Sequence, residues 1–138
     1  MRFYIASTLE NAEMVRWFAG KLKSWGWQQT YDWTVHGPVQ GPLLAETAEK
    51  ELSGVKEADI VFVLFPAKRG THVELGAAIA LEKKVVLWAQ SEKDLILDGR
   101  TCAFYHSGLV TRVIGDRNAL LLAAINASPD NSRIHCVV

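Results

Sequence analysis

The chain has 138 residues, 15 lysines and arginines against 15 aspartates and glutamates, and an apolar fraction of 49%, which suits one domain with its own core and is too little for two ordinary ones. The balanced charge and the lack of a basic run exclude a nucleic-acid polymer as the expected partner, and no segment approaches the roughly 20 uninterrupted apolar residues of a membrane-spanning helix. Met1 leads straight into Arg2-Phe3-Tyr4-Ile5-Ala6-Ser7 with no signal-peptide pattern, and Cys102 and Cys136 are too few and too distant for a disulfide framework or a zinc spacing. A cytoplasmic protein with reduced thiols, no membrane partner and a small-molecule ligand is expected.

Phe3 to Ala6 reads as a first strand, and Asn11 to Trp25 as a helix, with Val15, Phe18, Ala19 and Leu22 at helical spacing and Gly26 as its stop. Trp27 to Trp33 reads as a second strand, and His36-Gly37-Pro38 with Gly41-Pro42 as a breaker-rich loop able to cover a pocket. A polar helix over Leu43 to Glu57 precedes the almost wholly apolar run from Ala58 to Phe65, the pattern of a central parallel strand buried on both faces. After a turn over Pro66 to Gly70 come a helix over Thr71 to Glu82 and a strand over Val85 to Trp88. Either Cys102 to Tyr105 or Leu109 to Ile114 supplies the last strand, followed by a helix over Asp116 to Asn126 and a tail whose apolar end, Ile134 to Val138, suggests docking. The expected architecture is a single α/β domain over 1–138, a five-stranded doubly wound parallel sheet, with ligands outside the carboxyl ends of its strands.

The loops leaving those ends nominate the site: Ser7-Thr8-Leu9-Glu10, Asp32-Trp33-Thr34 and Pro66 to Thr71. The third runs into His72-Val73-Glu74-Leu75-Gly76-Ala77-Ala78, which places Glu74 in the first turn of a helix, where the helix dipole favours the charged form that a nucleophilic carboxylate needs. The bland alternative is an ordinary acidic residue at a helix start. Gly76, Ala77 and Ala78 are small enough for close packing of that helix on the sheet.

Tyr4-Ile5-Ala6-Ser7, Ala58-Asp59-Ile60-Val61 and Gly70-Thr71-His72-Val73-Glu74-Leu75-Gly76-Ala77-Ala78-Ile79-Ala80-Leu81 together resemble the nucleoside 2-deoxyribosyltransferase family, whose superfamily includes the 2'-deoxynucleoside 5'-monophosphate N-glycosidases. The resemblance covers about the first two thirds of the chain. It implies a flavodoxin-like, Rossmann-like fold, a homo-oligomer with shared active sites, no cofactor, and double displacement through a glycosyl ester on Glu74. It also implies that Tyr4 orients the nucleophile and that Glu51, where the family has an aspartate, protonates the departing base. A core tyrosine and a surface glutamate are the competing readings of those two residues. Cys102 and Phe104 fall near the segment that family members lend to a neighbour's pocket, and take no assigned role.

For the substrate, Lys68 and Arg69 beside Gly70 and Thr71 at a helix N-terminus make an anion site for a 5'-phosphate, unless they are simply solvated charges. Ser7 and Thr8 border the same crevice. Trp33 would stack on a base while Asp32 accepts hydrogen bonds from base or sugar, the alternative for Trp33 being packing under the Gly-Pro loop. Asp59, opening its strand far from the crevice, reads as structural. The chain has no Gly-rich dinucleotide fingerprint and no Gly-Lys-Ser/Thr phosphate loop, and its third strand ends in Phe65-Pro66 rather than the acidic residue of a phosphoacceptor receiver. His36, His72, His106 and His135 lack ligand spacing, so no metal is expected. The activity implied is N-glycosidic transfer, with monophosphate hydrolysis or non-catalytic nucleotide sensing as alternatives.

Overall fold

The computed structural model describes residues 1–129; the docking expected of Ile134 to Val138 lies outside them. Among the described residues seven strands and four helices occur in the order β1 (Arg2–Ala6), α1 (Ala12–Ser24), β2 (Gln28–Gln29), α2 (Leu43–Glu57), β3 (Ile60–Leu64), α3 (Arg69–Ala80), β4 (Lys84–Ala89), β5 (Ile96–Leu97), β6 (Arg100–Thr101), β7 (Val110–Ile114) and α4 (Arg117–Ala127). The main sheet is parallel throughout, with strand order β2-β1-β3-β4-β7, and β5 and β6 form a separate small hairpin. This is the five-stranded doubly wound α/β fold expected from the sequence.

The core follows from the strand compositions. All five residues of β3 are buried, as are Phe3 to Ala6 and Val85 to Ala89, because helices cover both faces of the sheet. Phe18 of α1 meets Phe62 of β3 edge-on at 4.8 Å between ring centres. On that same face Arg117 of α4 lies over the Trp17 ring of α1 at 4.5 Å, while α2 and α3 pack together on the opposite face. The α1 stop forms as expected: Gly26 takes φ +86°, and the Gly26 and Trp27 amides donate to Lys23 and Leu22 carbonyls at 2.9 and 3.2 Å. Helix α3 ends through the same device without a glycine. Glu82 adopts φ 58°, and Lys83 N–H reaches back to Ala78 O at 2.9 Å.

Two expectations change. The second strand shrinks from Trp27–Trp33 to Gln28–Gln29, because Asp32 caps a 3-10 turn over Trp33–Val35 and turns the chain away. Of the two candidates for the last strand, Val110–Ile114 pairs with β4, while Ala103–His106 is a 3-10 turn. Asp59 accepts from Arg2 N–H at 2.8 Å and ion-pairs with the same residue at the amino ends of β1 and β3.

Connections from β1 to β2 run one way along the sheet, and those from β3 through β4 to β7 run the other. A crevice therefore opens outside the carboxyl ends of β1 and β3, at the point where the winding reverses.

Candidate active site

In that crevice lies a cavity of about 330 Å³ whose walls include Ser7 and Thr8 after β1, Trp33, Glu51 of α2, and Lys68, Gly70, Thr71 and Glu74 around the start of α3. Larger hollows exist: those of about 470 Å³ beside Trp88 and about 770 Å³ along β7 each have a single carboxylate in the wall, Asp94 and Glu82 respectively, and one of about 560 Å³ beside β2 has Asp32 and Glu57 but no tyrosine. The β1–β3 cavity is the one that joins paired carboxylates to a buried tyrosine.

Tyr4 occupies an inward position of β1 and is fully buried, and its hydroxyl donates to Glu74 Oε1 at 2.9 Å. Glu74 is only 7% exposed, with the Glu51 carboxyl within hydrogen-bonding reach. Burial first, then the hydrogen bond and charge of Glu51, push the Glu74 carboxyl up to about 9, against the lowering effect of the Tyr4 hydroxyl. Burial and the adjacent carboxylates push the Tyr4 phenol far above its ordinary value, so it stays a proton donor. Glu74 thus keeps its proton across the neutral range, with a second carboxyl group beside it.

The approach of α2 depends on Gly54. A Cβ there would lie 2.8 Å from Tyr4 Cδ2 and 2.9 Å from Tyr31 Cβ. With only hydrogen at that position α2 settles onto the Tyr4 ring, and Glu51, almost one helical turn earlier, reaches Glu74.

Around the mouth, hydrogen bonds hold the loops in place. Ser7 Oγ donates to Leu64 O at 2.7 Å and accepts from Asn11 Nδ2 at 3.0 Å, while Thr71 Oγ1 donates to Ser7 O at 3.1 Å and accepts from Lys68 N–H at 3.2 Å. Thr71 thereby joins the β1 and β3 loops. His72 fastens the start of α3 from outside: its Nδ1 donates to Lys68 O at 2.7 Å, which leaves Nε2 to accept from the Tyr105 hydroxyl at 2.7 Å. Trp33 combines both of its sequence readings. It is 5% exposed and donates from Nε1 to Ile5 O at 2.7 Å, yet it forms part of the cavity wall.

Asp32 and Arg69 stand apart from the other expected site residues. The Asp32 carboxylate is engaged with Thr34 N–H at 2.9 Å and Thr34 Oγ1 at 2.6 Å, and lies outside the cavity wall, as does the exposed Arg69 that opens α3. Because α3 starts at Arg69, Glu74 is its sixth residue, past the first turn where the dipole acts. Burial and Glu51 outweigh the dipole, so the empty site favours a protonated Glu74 rather than the expected charged one. Close packing of α3 falls to Leu75 and Ala78, both buried, whereas a Cβ on Gly76 would meet nothing within 4 Å.

Glu10, His36, Pro38, Val39 and Thr47 also face the cavity. The Gly-Pro loop signalled three of them. Thr47 carried a signal in its spacing, one helical turn before Glu51 on the same face of α2. Among the described residues no group of three or more His, Cys, Asp or Glu side chains is placed to hold a metal ion, and no helix is long and apolar enough to cross a membrane.

Fold and site together define a doubly wound α/β domain with a two-carboxylate cluster, Glu74 buried and Glu51 half-buried, at its switch point. The structure is similar to that of the CMP N-glycosidase BcmB from Clostridium botulinum, with a TM-score of 0.64 and 20% sequence identity over 90% of this chain and 97% of that one. Likeness at this identity establishes the shared fold. No family model and no curated protein sequence matches the chain.

Proposed function

We propose that the protein cleaves the N-glycosidic bond of a nucleoside or nucleotide through a glycosyl ester on Glu74. The observation that carries this reading is the cluster of buried Tyr4 and Glu74 with half-buried Glu51 at the wall of the switch-point cavity. The reaction needs one carboxylate ionised and one protonated, and a pair sharing a single proton meets that need. In the empty site Glu74 holds that proton; passing it to Glu51 as the substrate binds leaves Glu74 the anion, which the Tyr4 hydroxyl then stabilises.

In the first step Glu74 attacks the anomeric carbon as the bond to the base nitrogen breaks, and the Glu51 proton goes to the departing base. In the second, Glu51, now a carboxylate, takes a proton from water or from an incoming base, whose oxygen or nitrogen attacks the anomeric carbon and frees Glu74. Water gives hydrolysis; a base gives transfer. The likeness of fold to an N-glycosidase and the resemblance of the Gly70 to Leu81 segment to nucleoside 2-deoxyribosyltransferases both support the chemistry. A homo-oligomer with shared sites belongs to the same reading, and the apolar exposure of Ile96, Leu97 and Phe104 on the excursion between β4 and β7 is compatible with it.

The test is product analysis. Wild-type protein incubated with deoxynucleosides, nucleosides and their monophosphates, with and without an acceptor base, should release free base or form exchanged nucleoside, and mass spectrometry should find a sugar adduct on Glu74. An adduct on another residue, or no release from any member, refutes the proposal.

A further inference from the structure

Within the glycosidic reading, the two ends of the cavity receive different parts of a sugar. Gly70 and Glu74 are four residues apart on α3, about 6 Å along the axis, a span comparable to a furanose from its anomeric carbon to its 5' oxygen. With the anomeric carbon at Glu74, the 5' group falls at the start of α3, where Lys68 and Gly70 border the cavity.

That end would suit a phosphate but for one residue. The Lys68 ammonium is already ion-paired with Glu10, whose side chain borders the same cavity, and the pairing holds the Glu10 carboxyl below its ordinary range. Arg69, the other cation of the loop, lies outside the cavity wall. The side-chain charge at this end therefore sums to zero. Beside it Thr8 is 7% exposed, and its hydroxyl is directed toward the Glu10 carboxylate, which it helps Lys68 to hold in the charged form. A carboxylate has acceptor capacity left for a sugar hydroxyl, whereas a phosphate dianion entering there must part Glu10 from Lys68 and then face the freed carboxylate.

We propose that Glu10 is a specificity-determining residue that masks Lys68, so that the cavity selects a sugar with an uncharged 5'-hydroxymethyl group over its 5'-phosphorylated counterpart. Titration calorimetry in a Glu74→Gln background, where turnover cannot consume the ligand, compares a deoxynucleoside with its 5'-monophosphate. The nucleoside should bind more tightly. Adding Glu10→Gln should move the affinity ratio toward the monophosphate by about five- to tenfold, the effect of one unit charge at contact distance in water, and the gain should shrink with salt. Adding Lys68→Met as well should cancel it. Inorganic phosphate, titrated as a separate probe, should bind more tightly once Glu10 is replaced. A preference for the monophosphate while Glu10 is present, a ratio unmoved by Glu10→Gln, or a gain that survives Lys68→Met overturns the role of Glu10 and leaves the glycosidic reading standing. If neither ligand binds any variant and wild type releases no base, both fall together.

Discussion

The proton held on Glu74 can be tested without any substrate, through the stability of Glu74→Gln. Glu74 in the unfolded chain titrates near 4.5, and in the folded protein burial and Glu51 raise it to about 9. Between those values the folded state keeps a proton that the unfolded state has lost, so the raised group contributes stability that is fully present below the unfolded value and is lost as pH rises toward the folded one. The greatest slope is about 1.4 kcal/mol per pH unit for one proton. From about pH 6 to about pH 8 the wild type should therefore lose up to about 3 kcal/mol relative to the variant. For a domain of this size that is roughly 10 °C in melting temperature, at roughly 4 °C per kcal/mol. Glutamine keeps the shape, accepts from the Tyr4 hydroxyl in place of Glu74 Oε1 and offers an amide to Glu51, but has no proton to lose. Urea or thermal unfolding of both proteins across this range is the assay, and subtracting one curve from the other removes the titration of distant groups. Parallel curves, or a wild type that gains on the variant as pH rises, would refute the reasoning.

Tyr4→Phe removes the donor that lowers Glu74. A hydrogen bond to an ionised group contributes about 1.5–3 kcal/mol, so the acid limb of kcat/KM for base release should move up by about one to two pH units, and an unmoved limb would count against Tyr4 as an orienting group. Two helical glycines should respond to alanine with opposite signs, measured by urea unfolding. Gly54→Ala forces a methyl against Tyr4 and Tyr31 and should cost about 1–3 kcal/mol, whereas Gly76→Ala enters open space and should gain up to about 1 kcal/mol from helix propensity. Trp33→Phe deletes the hydrogen bond to Ile5 O and leaves a buried carbonyl unmet, with an expected loss of about 1–3 kcal/mol in the same assay; a neutral result would mean that water reaches that carbonyl.

Local chemistry alone determined the central strands and the four helices, but not the length of the second strand, the choice of the last one or the β5–β6 hairpin. The apolar run from Ile60 to Leu64 had to be a strand buried on both faces, and the spacing of Val15, Phe18 and Leu22 had to be a helix ending at Gly26, because period and composition are properties of neighbours along the chain. The crevice and the loops bordering it follow from the same alternation of strand and helix. Which residues meet in the crevice was decided only by tertiary packing. Tyr4 and Glu74 are 70 positions apart and touch because β1 pairs with β3 and α3 folds back over both. Glu51 joins them because Gly54 lets α2 rest on the Tyr4 ring. Asp32, read as a ligand contact, caps the turn that follows it by accepting from the Thr34 amide, a role set by how the chain turns there. The charge state of Glu74 reversed for the same reason: a helix position can be read in one dimension, but burial and a second carboxylate exist only when separate elements converge.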